Sequence, residues 1–180
     1  MRLVFVILIF SILNASCIPT KIAPYIEDYE LTIAKEFKRE LPKTGAFIFE
    51  DPKSANEFYE FINAKFKKDY LDVEWDTPFT IGKNTHYFSF YEAEKTTKTI
   101  NIFPILIDVA LENNGCEPLL ENAYDSRSGT WYLVLTVNDD DSNDCLGEHY
   151  QQRDEVVAYL KKLKQEYLST YDYKKYMFMD

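Results

Sequence analysis

"GTWYLVLTVN", residues 129–138, reads as a β-strand with apolar side chains on both of its faces. Trp131, Leu133, Leu135 and Val137 share one face at the two-residue period of extended chain, and the alternate positions are also partly apolar. A strand with one wet face would alternate apolar with polar. This one suits a central position, covered on both sides. No Gly or Pro interrupts Trp131 to Val137, so that segment is expected to be the most buried of the chain.

The neighbouring segments supply the cover. "RDEVVAYLKKLKQEYL", 153–168, places Val156, Leu160, Leu163 and Tyr167 at helical spacing. "EDPKSANEFYEFINAKFKKDY", 50–70, reads as a second helix, with Asp51 as N-cap, Pro52 in its first turn, and Ala55, Phe58, Ile62 and Phe66 on one face. A third is expected from about Pro24 to Leu41, on the spacing of Ile26, Tyr29, Ile33 and Phe37. A short fourth is expected over "PILIDVALEN", 104–113. "GAFIF" reads as a buried strand and "PFTI" as a short one, while "HYFSFYEAE" and "KTINIF" flank "KTT" as a hairpin. The mixed order of elements implies an α+β fold: one domain over 25–180, a mainly antiparallel sheet and three to four helices packed on it.

The opening of the chain has a different character. Arg2 precedes an apolar run from Leu3 to Leu13, and the small residues Ala15, Ser16 and Cys17 follow. This is the layout of a secretory signal peptide over residues 1–17. The run is too short for a transmembrane helix, which needs roughly 20 apolar residues. Two endings fit. "LNASC" resembles the lipobox of bacterial lipoproteins, in which the cysteine is diacylated and becomes the first mature residue; Asn14 stands where that family prefers an aliphatic residue. The other ending is plain secretion with cleavage after Cys17. Residues 18–24, "IPTKIAP", read as a tether. The leader and the acidic, aromatic-rich body resemble small uncharacterised lipoproteins of Gram-negative bacteria. That resemblance implies an envelope location through a lipid on Cys17, with Ile18 after it fitting the outer membrane, and it implies no activity.

"LPKTG", 41–45, matches the sortase sorting signal in pattern, but 135 residues follow Gly45 and the chain ends in "YKKYMFMD". A sorting signal is followed by an apolar stretch and a basic tail. Pro42 and Gly45 are better read as a helix stop and a turn.

The formal net charge is −10, with 30 acidic and 20 basic residues among 180. That argues against nucleic acid, whose phosphates are held mainly by Lys and Arg; the acidity serves to keep an exported protein soluble, or else favours a basic protein partner through steering. With Cys17 lipidated or removed, Cys116 and Cys145 form an even pair for an oxidising compartment. A disulfide between them is expected to stabilise by about 3.5 kcal/mol in the chain-entropy account.

Catalytic signatures are sparse. His86 and His149 lie in no metal-ligand spacing, and Glu148, His149 and Asp154 read as solvated residues. There is no G-x-S-x-G elbow and no glycine-rich phosphate loop, so no cofactor is expected. In "NDDDSNDC" the oxygens of Asp139, Asp141 and Asn143 alternate as at the start of a calcium loop. Asp144 stands where an EF-hand needs Gly, and Tyr150 where it needs Glu. Tyr171, Tyr173, Tyr176 and Phe178 are the candidate exposed aromatic set. A non-catalytic binding protein of the envelope is the favoured reading, with a carboxylate-dependent hydrolase and a structural envelope component as alternatives.

Overall fold

A computed structural model describes residues 17–113, 117, 119 and 125–171. It is an α+β fold with a six-stranded antiparallel sheet in the order β1-β5-β6-β3-β2, and β4 paired on β5. The strands are β1 Cys17–Lys21, β2 Glu30–Ile33, β3 Gly45–Glu50, β4 Thr77–Ile81, β5 Asn84–Asn101 and β6 Asp125–Asp139. The helices are α1 Ala34–Phe37, α2 Glu57–Phe66, α3 Ile102–Glu112 and α4 Arg153–Ser169. By its contacts the chain divides into two compact units, Met1–Pro24 with Glu94–Thr130, and Tyr25–Ala93 with Trp131–Asp180.

The larger unit is organised by the two-faced strand. From Tyr132 to Val137 every residue of β6 is buried. Leu133, Leu135 and Val137 join Phe47 and Phe49 of β3 in one core with α2 and α4. Tyr132 and Val134 join Ala46 and Ile48 on the other side, under Ala34 and Phe37 of α1 and the side chain of Ile26. The register makes this possible: Phe47 lies opposite Leu135 and Phe49 opposite Leu133, so like faces coincide. Trp131 departs from the expected pattern at 44% exposure, and the burial begins one residue later. The final helix buries Val156, Leu160, Leu163 and Tyr167 as its spacing implies.

Four expectations need correcting. The segment from Pro24 to Leu41 is not one helix: Glu30–Ile33 forms β2 against β3, and only Ala34–Phe37 is helical. Its apolar residues divide between the two cores, Tyr29 and Leu31 to one and Ile26 and Phe37 to the other, as a chain at a sheet edge can arrange and one helix stripe cannot. The helix expected after Asp51 starts at Glu57; Asp51 instead accepts from the Lys53 amide and from the Tyr167 hydroxyl. "KTT" is not a turn, because β5 runs unbroken from Asn84 to Asn101. The hairpin is β4–β5, with Ile81 opposite Asn84 across Gly82, whose φ of +62° suits a two-residue turn. Of the stretch expected to be a tether, 18–24, residues 18–21 belong to β1, which sets Cys17 opposite Asn101 and Ile18 opposite Ile100.

Gly45, the last residue of the sortase-like stretch, has a packing reason. A Cβ there would stand 2.9 Å from Leu146 Cβ and 3.0 Å from the Leu146 carbonyl carbon. The Gly45 amide donates to Asp144 Oδ2 at 2.6 Å, tying the start of β3 to the loop that follows β6. Gly45→Ala is therefore expected to cost about 1–3 kcal/mol, the usual range for overpacking. Urea denaturation monitored by tryptophan fluorescence measures it.

Candidate functional site

Cys17 begins β1. Cys116, Tyr173, Tyr176 and Phe178 lie outside the described residues. Tyr171 is described and is 87% exposed, with Lys53 Nζ 4.9 Å from its ring centre. Cys145 is a free, fully buried thiol within the larger core, where a bridge to Cys116 was expected. Its Sγ donates to the Asn143 carbonyl at 3.4 Å, and burial pushes its pKa up to about 11.

The acidic stretch that follows β6 is held by its own carboxylates. Asp139 Oδ1 accepts from the Asp141 amide at 3.0 Å and the Asn143 amide at 2.9 Å, while Oδ2 accepts from Asn143 Nδ2 at 3.0 Å. These bonds, that of the Asn143 side chain foremost, hold the Asp139 carboxyl below its ordinary range. Among the described residues no group of three or more His, Cys, Asp or Glu could hold a metal ion. A carboxylate whose folded pKa is depressed stabilises fully above the unfolded value of about 3.9, and that contribution is lost as pH falls through the folded value. Asp139→Asn is thus expected to destabilise at neutral pH by less than about 1 kcal/mol, because the carboxylate faces solvent. The difference from wild type should shrink on acidification below about pH 4. Urea titrations at a series of pH values check both the size and the direction.

His86 is buried in the larger unit, stacked on Phe79, with Nε2 3.1 Å from the Tyr150 hydroxyl. Tyr150 donates onward to Asp139 Oδ2 at 3.4 Å. This chain of polar groups braces the Asp139 loop against the hairpin.

A different segment carries the features of a recognition surface. It runs from Lys67 to Asp76 and was not singled out by sequence. Five of its residues hold positive φ: Lys67, Asp69, Tyr70, Asp72 and Asp76. None is glycine: Lys67 caps the end of α2, the three aspartates adopt this region more readily than other side chains, and Tyr70 is held there at a cost of about 1 kcal/mol. Such backbone persists only when its surroundings over-determine it, and it concentrates at binding and switch sites. The surroundings here are explicit. Val73 is sunk into the core at 2% exposure. The Tyr70 amide donates to the buried Asn63 Oδ1 at 2.8 Å, and the Asp76 amide to Ser89 Oγ at 3.1 Å. The Phe90 amide donates to the Glu74 carbonyl at 3.0 Å.

After the basic Lys67 and Lys68, the scaffold displays acidic and apolar side chains together from Asp69 to Asp76. Tyr70 is 58% exposed, Leu71 71% and Trp75 46%. Asp69, Asp72, Glu74 and Asp76, interleaved with them, are exposed as well. The rings are oriented by neighbours: Tyr70 stacks beside Tyr59 at 6.4 Å, and Trp75 meets Tyr91 edge-on at 5.4 Å. Beside the loop, Asn63, Ala64, Lys67, Asp69 and Tyr70 line an open concavity of about 370 Å³ at the end of α2.

No family model, curated protein or solved structure matches this chain. Rigid aromatic rings give contact area at small entropic cost, and the four surrounding carboxylates select for positive charge. In "DYLDVEWD", 69–76, Leu71, Val73 and Trp75 alternate with acids at the period of a strand, which hides the loop in the sequence; of the three only Val73 is buried.

Proposed function

We propose that this is an exported, lipid-anchored protein of the cell envelope that binds a basic protein partner through the loop of residues 67–76. The leader with Cys17 at its end supports export and anchoring, and the acidic balance of the chain supports a basic partner. The observation that carries the binding role is the constrained loop: five non-glycine residues at positive φ, holding exposed Tyr70, Leu71 and Trp75 among four acids. A backbone held at this cost presents its side chains already ordered, which reduces the entropy lost on binding.

The test is a pull-down from the host's envelope extract with the mature protein as bait. Trp75→Ala is expected to weaken capture of the partner by about 30-fold or more, the effect of losing an aromatic anchor worth about 2 kcal/mol. Reversing Asp72 and Glu74 to lysine should slow association and remove most of its salt dependence. Capture that is indifferent to all three changes would place the binding surface elsewhere.

A further inference from the structure

The smaller unit contains a helix with its polarity reversed. Along α3 the side chains of Phe103, Leu106 and Val109 recur every third residue and are 47%, 60% and 47% exposed. Asp108 is 1% exposed and accepts from the Leu119 amide at 2.9 Å. A helix on a water-facing surface does the opposite, turning its charges out and its apolar stripe in. An exposed apolar stripe of this kind marks an interaction surface.

The helix begins beside the end of the described chain. The β1–β5 register sets Cys17 opposite Asn101, and Asn101 is the residue immediately before α3. The residue that would carry the lipid therefore lies at the start of the reversed helix. Ile18 and Ile22, next along the chain from Cys17, are 50% and 69% exposed, which extends the apolar surface beside the anchor. At about 1.5 Å per residue, the 11 residues of α3 cover about 16 Å. That is half the roughly 30 Å of a bilayer core, so the helix is too short to cross but suits lying flat at the interface. Among the described residues no helix is long and apolar enough to span. The acids of the helix do not oppose this placement, since Asp108 is turned inward and Glu112 ends the last turn.

We infer that α3 lies in the surface of the membrane that holds the Cys17 lipid, with Phe103, Leu106 and Val109 entering the acyl region. The inference rests on the anchoring proposed above. It makes the lipid and the helix two cooperating membrane signals, with the helix fixing the orientation of the smaller unit at the bilayer.

The test uses the full mature protein, acylated in its host, carrying Leu106→Cys with Cys116→Ser and labelled at position 106 with an environment-sensitive fluorophore. It is reconstituted into phosphatidylcholine vesicles with or without brominated acyl chains, and the N-terminal peptide is weighed in parallel. The expected result is an acylated N-terminus and loss of most of the emission in brominated vesicles. That loss should disappear when Phe103 and Val109 are both replaced by serine, although the acyl group is kept. An acylated protein whose label is not quenched overturns the inference and leaves the anchoring intact. An N-terminus without lipid overturns the anchoring, and the inference with it. A blue-shifted label in lipid-free detergent together with a dimer on sedimentation overturns the inference in favour of a second copy of the chain on this face.

Discussion

Phe58→Ala is expected to destabilise the protein by about 3–5 kcal/mol, as truncation of a fully buried phenylalanine does. Phe58 is 0% exposed and lies on α2 where the helix meets the sheet. Four rings surround it: Phe49 at 6.3 Å, Phe61 at 5.9 Å, Phe90 at 4.8 Å and Tyr167 at 4.9 Å. The last two meet it edge-on, the arrangement that adds an electrostatic gain to burial. Those neighbours come from β3, α2, β5 and α4, so collapse around the cavity would have to move several elements at once. The cost should therefore fall in the upper part of the range. Equilibrium urea unfolding measures it, and a loss below about 1 kcal/mol would mean that the ring cluster is not packed as described.

Leu133→Ala should cost about 2–5 kcal/mol for a related reason. Leu133 is 0% exposed, lies opposite Phe49 in the β6–β3 register and faces the core under α2 and α4. Its strand neighbours Tyr132 and Val134 fill the other core, so a backbone shift that relieved one side would disturb the second. Asp140→Ala is the internal comparison. Asp140 is exposed and accepts from the Tyr87 hydroxyl at 2.8 Å, a surface bond whose loss should change stability by less than about 0.5 kcal/mol. Paired denaturation curves should separate the two substitutions by several-fold in free energy. Equal effects would overturn the two-core description.

These elements were readable because each has a period. The unbroken apolar run of β6 and the Val156, Leu160, Leu163 and Tyr167 spacing of α4 both state a burial pattern directly. The region from Ile26 to Phe37 misled because its apolar residues fit helical spacing while the edge of β3 offered strand pairing to Glu30–Ile33. Tertiary hydrogen bonds decided between them. The break expected at "KTT" failed because three polar residues without Gly or Pro can continue a strand when neighbours pair with it. The Lys67–Asp76 loop was illegible for another reason. Its defining property is backbone conformation, and positive φ at Asp69, Tyr70 and Asp72 leaves no glycine to mark it. The candidate aromatic set in the C-terminal tail drew on composition alone, whereas exposure of Tyr70 and Trp75 depends on Val73 and Asn63 holding the loop beneath them.

Binding of a basic partner at the Lys67–Asp76 loop is open to a direct experiment. Photo-crosslinking in intact cells tests it most directly, with a photoreactive residue at Leu71, which is 71% exposed, and at Glu155 on α4 as comparison. The expected result is one discrete adduct to a basic protein at position 71, absent at 155 and abolished when Asp72 and Glu74 are reversed to lysine. The same adduct at both positions, or an adduct at 71 that survives charge reversal, would contradict it.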